Sequence, residues 1–320
     1  MSKAAELAAL IGSQTALSNR NLVTNGAMQV AQRATSKTNV GPNGTGEGYT
    51  VLDRFQISLS GDQVSTFSQS TDAPSGFSNS AKIEVTTADT SLAATQFWHL
   101  RYGFEGQDLQ SIAKGTSDAK SITLSFYVKS NKTGNASLEI NQQDTSPIRA
   151  VALQYTINTA NTWEYKEITV AGDASGVINN DNGIGFEIYW WLRSGSTFTG
   201  GSHKTAYYER VSADRNASNL DVGATANDYW QITGVKLELG STATDFEHRS
   251  FGDELLRCQR YFQIVGDYRT IHLASRWNST QLFATYPLSV PLRAGSTQST
   301  GGTFPVCRNY SNSQSGTATA

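Results

Sequence analysis

The sequence predicts an all-β protein, an antiparallel jelly-roll β-sandwich with a short N-terminal helix and a small C-terminal β-rich unit, and three observations carry that reading. Apolar and polar residues alternate through most of the chain, the period of a strand with one buried face. Runs of Gly, Asn, Pro, Asp and Ser separate the alternating blocks and supply the turns that antiparallel strands need. Of 320 residues only 16% are charged, whereas 28 are Gly. The polar surface therefore comes from Ser, Thr, Asn and Gln, which suit turns and strand faces better than charged helices.

The first segment, residues 1–20, differs from the rest. Ala4, Leu7, Leu10, Ile11 and Leu17 fall close to one helical stripe, and Glu6 suits the positive end of a helix. At about 16 residues such a helix is marginal alone and needs something to pack on. Leu7, Leu10, Ile11 and Leu17 are therefore candidate oligomerisation or docking residues, the alternative being a helix folded back on its own domain. The segment has an acid in its middle and lacks a basic start and a cleavage site, so no signal peptide is expected. Nor does any run approach the ~18 apolar residues of a membrane span.

Residues 21–248 carry the sandwich. Phe55, Ile57 and Leu59 alternate with Gln56 and Ser58, and Ala81, Ile83 and Val85 with Lys82 and Glu84. Ile122, Leu124, Phe126 and Val128 form one face of the clearest strand, with Ser121, Thr123, Ser125, Tyr127 and Lys129 on the other. Leu138 and Ile140 alternate with Glu139 and Asn141, and Val151, Leu153, Tyr155 and Ile157 with Ala152, Gln154 and Thr156. Two strands change parity partway, from Trp163 and Tyr165 to Ile168 and Val170, and from Trp230 and Ile232 to Val235, Leu237 and Leu239. One extra residue does this without ending a strand, so β-bulges are expected near Glu167 and Gly234. Turns are expected at residues 41–44, 130–134, 158–162 and 179–183. Residues 249–320 then read as a short helix from Phe251 to Phe262, strands at 263–265, 270–274, 281–286 and 289–292, and a polar tail from Ser311.

Function classes narrow quickly. Lys and Arg number 25 against 27 Asp and Glu, a net charge of −2, which argues against a nucleic-acid partner. Cys258 and Cys307 form at most one bridge and share no metal-binding spacing, and Cys258 reads as a small core residue. His99, His203, His248 and His272 stand far apart, with no HxH or HExxH pair. No nucleophile elbow or phosphate-cradling loop follows a strand, and the Asn179–Gly183 run is explained by a tight turn rather than calcium. Neither a metal nor another cofactor is expected. Glu139 and Glu187, on water-facing sides of their strands, are the residual catalytic pair, since two carboxylates across a cleft suffice for glycoside hydrolysis. Solubility alone explains them more simply.

The most informative strand runs from Phe186 to Arg193. Phe186, Ile188, Trp190 and Leu192 make one face, leaving Glu187, Tyr189, Trp191 and Arg193 on the other. Large rings on an outward face need a cover. Sugar rings stack on Trp and Tyr while their hydroxyls bond to acids, amides and guanidinium groups. The candidate carbohydrate- or partner-binding residues are thus Tyr127, Asn141, Glu187, Tyr189, Trp191 and Arg193, with Lys129 and Gln143 extending the platform. The alternative is that loops or a neighbouring subunit cover this face.

Several segments together resemble a known family. They are Asn19–Arg33, Leu52-Asp53-Arg54-Phe55, Glu105–Leu109, Lys120–Ser130, Asn179–Gly183, Tyr189-Trp190-Trp191-Leu192, Trp230–Gly240 and Ala243-Thr244-Asp245-Phe246-Glu247-His248-Arg249-Ser250, continuing to Phe262. The chain resembles tailed-bacteriophage virion proteins described as tail fibres or appendages over about residues 19–263, and the block from Trp230 to Phe262 is the specific part. The resemblance implies a non-enzymatic structural component with a jelly-roll domain similar to carbohydrate-binding modules. It also implies assembly as a homotrimer with other virion proteins, location in the virion after assembly in the host cytoplasm, and a role in host attachment; a host-surface glycan is a candidate partner on the strength of the outward rings, not of the resemblance. A capsid fibre or decoration protein is the alternative placement.

Overall fold

In a computed structural model, residues 20–41, 46–264 and 288–293 are described, together with the backbone of four short strands between 274 and 318. The candidate docking residues Leu7, Leu10, Ile11 and Leu17, the tip of the 41–44 turn, His272 and most of the C-terminal unit lie outside the described residues.

Twelve strands build the body: β1 (Ser36–Val40), β2 (Phe55–Ser60), β3 (Val64–Ser70), β4 (Ser80–Thr87), β5 (Phe97–Glu105), β6 (Ile122–Ser130), β7 (Gly134–Gln142), β8 (Arg149–Ile157), β9 (Glu164–Val170), β10 (Ile184–Ser194), β11 (Lys204–Glu209) and β12 (Tyr229–Leu239). They form two six-stranded sheets, β1-β3-β4-β12-β6-β9 (sheet A) and β11-β8-β7-β10-β5-β2 (sheet B). All the pairings within them are antiparallel. This is the predicted all-β jelly-roll sandwich, and the period-two blocks explain it: each strand turns its apolar parity toward the other sheet. Phe55, Phe126, Tyr155, Phe186, Trp190 and Trp230 are buried in one core cluster. Trp190 lies 6.1 Å from Phe126 and 6.4 Å from Phe55. Trp230 donates from Nε1 to Tyr155 Oη at 3.1 Å, so that buried indole N–H is partnered.

The bulge at Gly234 is present. β12 slips one residue against β6 between Thr233 and Lys236, with Gly234 at φ +63°, a conformation that disfavours side chains with a Cβ. The bulge expected near Glu167 is not: β9 pairs with β6 from Val170↔Ile122 to Glu164↔Val128 without a slip. Tyr165 therefore stays on the outer face, opposite Tyr127, where it is 46% exposed. The apparent parity change reflects aromatic residues on the outer side, not an inserted residue.

Helix α1 (Phe251–Gln259) starts with Ser250 accepting from Asp253 N at 3.2 Å and ends three residues earlier than its apolar spacing predicts. Glu254 accepts from Asn25 N, Arg249 donates to the carbonyls of Asn21 and Val23, and Arg260 pairs with Glu105 at 2.7 Å. Cys258 is a free, buried thiol on the packed side.

Candidate functional site

The outer face of sheet B holds most of the residues singled out by sequence, and its register sets them in rows. One row runs Gly103, Glu187, Asn141, Ala150, Tyr208; the next runs Gln56, Arg101, Tyr189, Glu139, Ala152, Lys204; a third joins Ser58, His99 and Trp191.

This face is not open to water: of the two readings of the outward rings, cover by a loop of the same chain is the one found. Trp191 is 1% and Tyr189 6% exposed, because residues 195–223 fold back over them. Phe198 packs on Trp191 at 5.4 Å, and the Arg215 guanidinium lies 4.9 Å from the Trp191 ring and 5.5 Å from Tyr189. The rings also use their polar atoms within the protein: Trp191 Nε1 donates to Glu139 at 3.2 Å, and the Tyr189 hydroxyl donates to Glu187. They act here as supports that hold two carboxylates in place. Tyr127 and Lys129 belong to sheet A and do not extend this face. Arg193 does not share this face: β10 slips one residue against β5 between Trp191 and Arg193, so Arg193 pairs with Trp98 and is buried on that side, 2.8 Å from Asp221 and 3.7 Å from Asp89.

Both carboxylates are ion-paired. Glu139 accepts from Arg215 Nε at 2.9 and 3.0 Å. Glu187 lies 3.2 Å from Arg101 Nη1 and accepts from Gln143. Arg101 in turn donates to Gln56 at 2.8 and 2.6 Å, so a polar chain crosses β10, β5 and β2 and reaches the half-exposed rim. Asn141 sits between the acids, fully buried, with neither its amide nitrogen nor its amide oxygen partnered; the Tyr208 hydroxyl and His99 Nδ1 are buried and unpartnered as well. Sequence analysis missed Arg101, Arg215 and Tyr208: Arg101 stands on the polar parity of the alternating strand β5, a signal that was there to read, whereas Arg215 and Tyr208 come from segments without a clean alternation.

Titration follows from this enclosure. Burial, reinforced by the nearby Arg215 and Arg101 charges, holds the His99 pKa well below its ordinary 6.5. Burial first, then Asp214 and Glu139, pushes the Tyr208 phenol up to about 12. In the window below pH 6.5 the unfolded chain therefore binds a proton at His99 that the folded one does not, and stability falls as pH falls. A His99→Phe variant should lose less stability than the parent between pH 7 and 5 in urea titrations; parallel curves would contradict the buried neutral imidazole.

Comparison with known proteins yields likenesses of structure at low identity. No protein-family model matches the chain, and no curated protein does. Among solved structures, it is similar to the enzymatically active domain of tailspike protein 4 from bacteriophage CBA120 (TM-score 0.38, 15% identity, 69% of this chain and 22% of that one). It is also similar to the family 11 carbohydrate-binding module of a cellulosomal cellulase of Clostridium thermocellum (TM-score 0.32, 11% identity, 66% and 99%). A third is a xylan-binding domain from Paenibacillus barcinonensis (TM-score 0.32, 12% identity, 57% and 91%). This chain thus spans about a fifth of the tailspike chain and nearly all of the modules.

Proposed function

We propose that the chain is a non-enzymatic structural and attachment protein of a phage appendage, assembled as a homotrimer with other virion proteins, whose outer sheet B face binds a host-surface glycan. The observation that carries the glycan reading is the row of hydrogen-bonding groups that reaches the half-exposed rim at Arg101 and Gln56; vicinal sugar hydroxyls both donate and accept, and so match a guanidinium beside an amide. Asn141, fully buried under residues 195–223, stands at the inner end of that row. Glu187, Arg101, Gln143 and Gln56 continue the hydrogen-bonding groups from that amide to the rim. Glu139 and Glu187 are each engaged by an arginine, an arrangement that favours binding over hydrolysis, so incubation with host polysaccharide should release no soluble sugar.

The test separates binding from folding. Gln56→Ala removes a half-exposed amide at the rim, so thermal stability should hold. Binding to host polysaccharide should fall about tenfold or more, the equivalent of one lost polar contact pair. A variant that binds as the parent does would remove the rim from the site.

A further inference from the structure

The other sheet carries a feature that the sheet B reading leaves unused. Across the outer face of sheet A runs an open groove of about 400 Å³, bounded by β6, β9, the bulge of β12, residues 75–77 and the extended strap at 243–248. That volume falls within the usual range for small-ligand sites.

Its wall is a continuous run of rings. Tyr165 lies 5.1 Å from Tyr127, Tyr127 lies 5.5 Å from Phe77, and Phe77 lies 5.0 Å from both Phe246 and His248. These side chains come from four separate segments. The strand beneath them is cut away to fit: a Cβ on Gly234 would stand 2.8 Å from Phe77 Cζ and 3.0 Å from Tyr127 Cδ2. The same positive-φ bulge that shifts the register thus makes room for the ring wall.

The polar lining is one-sided in charge. Glu167 and Asp245 line the groove, and no lysine or arginine does so among the described residues. Glu167 uses Oε1 to accept from Ala243 N at 2.9 Å, which anchors the strap beside it. Ser125 and His248 add further hydrogen-bonding groups.

We propose that this groove is a second saccharide site, selective for a non-acidic, amine-bearing sugar. The rings offer stacking faces to the C–H side of a pyranose and attract an ammonium group over a tyrosine. Glu167 and Asp245 favour a positive ligand and repel uronate or sialate carboxylates. The inference goes beyond the sheet B reading and stands without it, since the two faces lie on opposite sides of the sandwich.

The experiment titrates the full chain with a glucosamine oligomer, its fully N-acetylated counterpart and an oligogalacturonate, followed calorimetrically. The glucosamine oligomer should bind most tightly and the oligogalacturonate least. Tyr165→Ala, at an exposed position where folding is retained, should weaken the glucosamine oligomer about tenfold. Glu167→Gln should narrow its advantage over the acetylated form, and Gln56→Ala should leave all three titrations unchanged. The proposal is overturned if the acidic oligomer binds as well as the amine, if none of the three binds, or if Tyr165→Ala alters only the oligomeric state.

Discussion

Replacing Arg215 by alanine should cost the fold about 3–5 kcal/mol, the usual penalty for stripping one partner from a buried ion pair. Glu139 is fully buried, and Arg215 reaches it from the roof with both carboxylate oxygens within 3.0 Å. The guanidinium also lies near Trp191, Tyr189 and Phe198, so the roof loses its link to the sheet along with the charge. In Arg215→Ala the Glu139 carboxylate keeps only the indole N–H of Trp191. Denaturant unfolding measures the loss, and limited proteolysis between 195 and 223 should be faster. The second substitution Glu139→Leu should recover much of it, because an apolar pair leaves no buried charge behind. A loss under about 1 kcal/mol would show that the pair behaves as a solvated surface contact.

The same residues show what the sequence could and could not disclose. β6 is legible because its outer residues are polar and its inner ones apolar, and its neighbours keep that division in register. β5 alternates just as cleanly, Trp98, Leu100, Tyr102 and Phe104 against His99, Arg101, Gly103 and Glu105, but seven of its nine residues are buried, and the alternation alone does not show that His99 and Arg101 end beneath a roof. β1 and β3 are strands in which Ser, Thr and Lys outnumber apolar residues, and β11 is short and at the edge of its sheet. The alternation of β10 places Glu187, Tyr189 and Trp191 on one face as observed, the slip after Trp191 takes Arg193 out of it, and whether that face is wet depends on residues 195–223. Their polar sequence gives no sign that Arg215 and Phe198 will close over Trp191. Local periodicity records which residues share a side of a sheet; what later covers that side is a long-range event.

Tyr165 illustrates the converse error. Treating every ring as core forced a bulge into β9, whereas an unbroken pairing places the ring outside, in line with Tyr127. Outward aromatics on adjacent strands are cross-strand partners in their own right, and here the row continues to Phe77 through the space left by Gly234. An aromatic at the wrong parity is thus a signal of a ring surface when its neighbour at the paired position is aromatic too.

That ring surface depends on one buried lysine. Lys236 is fully buried on β12, 3.2 Å from Glu238 and donating to the carbonyls of Thr244 at 3.3 Å and Asp245 at 2.9 Å, as well as to the Thr244 hydroxyl. Glu238 holds the same strap by accepting from Thr244 N at 2.7 Å. The strap has no ladder of its own, so these bonds fix the residues that bring Phe246 and His248 to Phe77. Lys236→Ala leaves the Glu238 carboxylate buried without its cation and two strap carbonyls without their donor, and should cost about 3–5 kcal/mol in denaturant unfolding. Groove binding should fall with it even under conditions where the sandwich stays folded, while binding at sheet B is kept. Lys236→Met combined with Glu238→Leu should restore much of the stability but not the groove, because packing is replaced and the strap's hydrogen bonds are not. If the double variant bound the glucosamine oligomer as the parent does, the strap would be held by contacts other than this lysine.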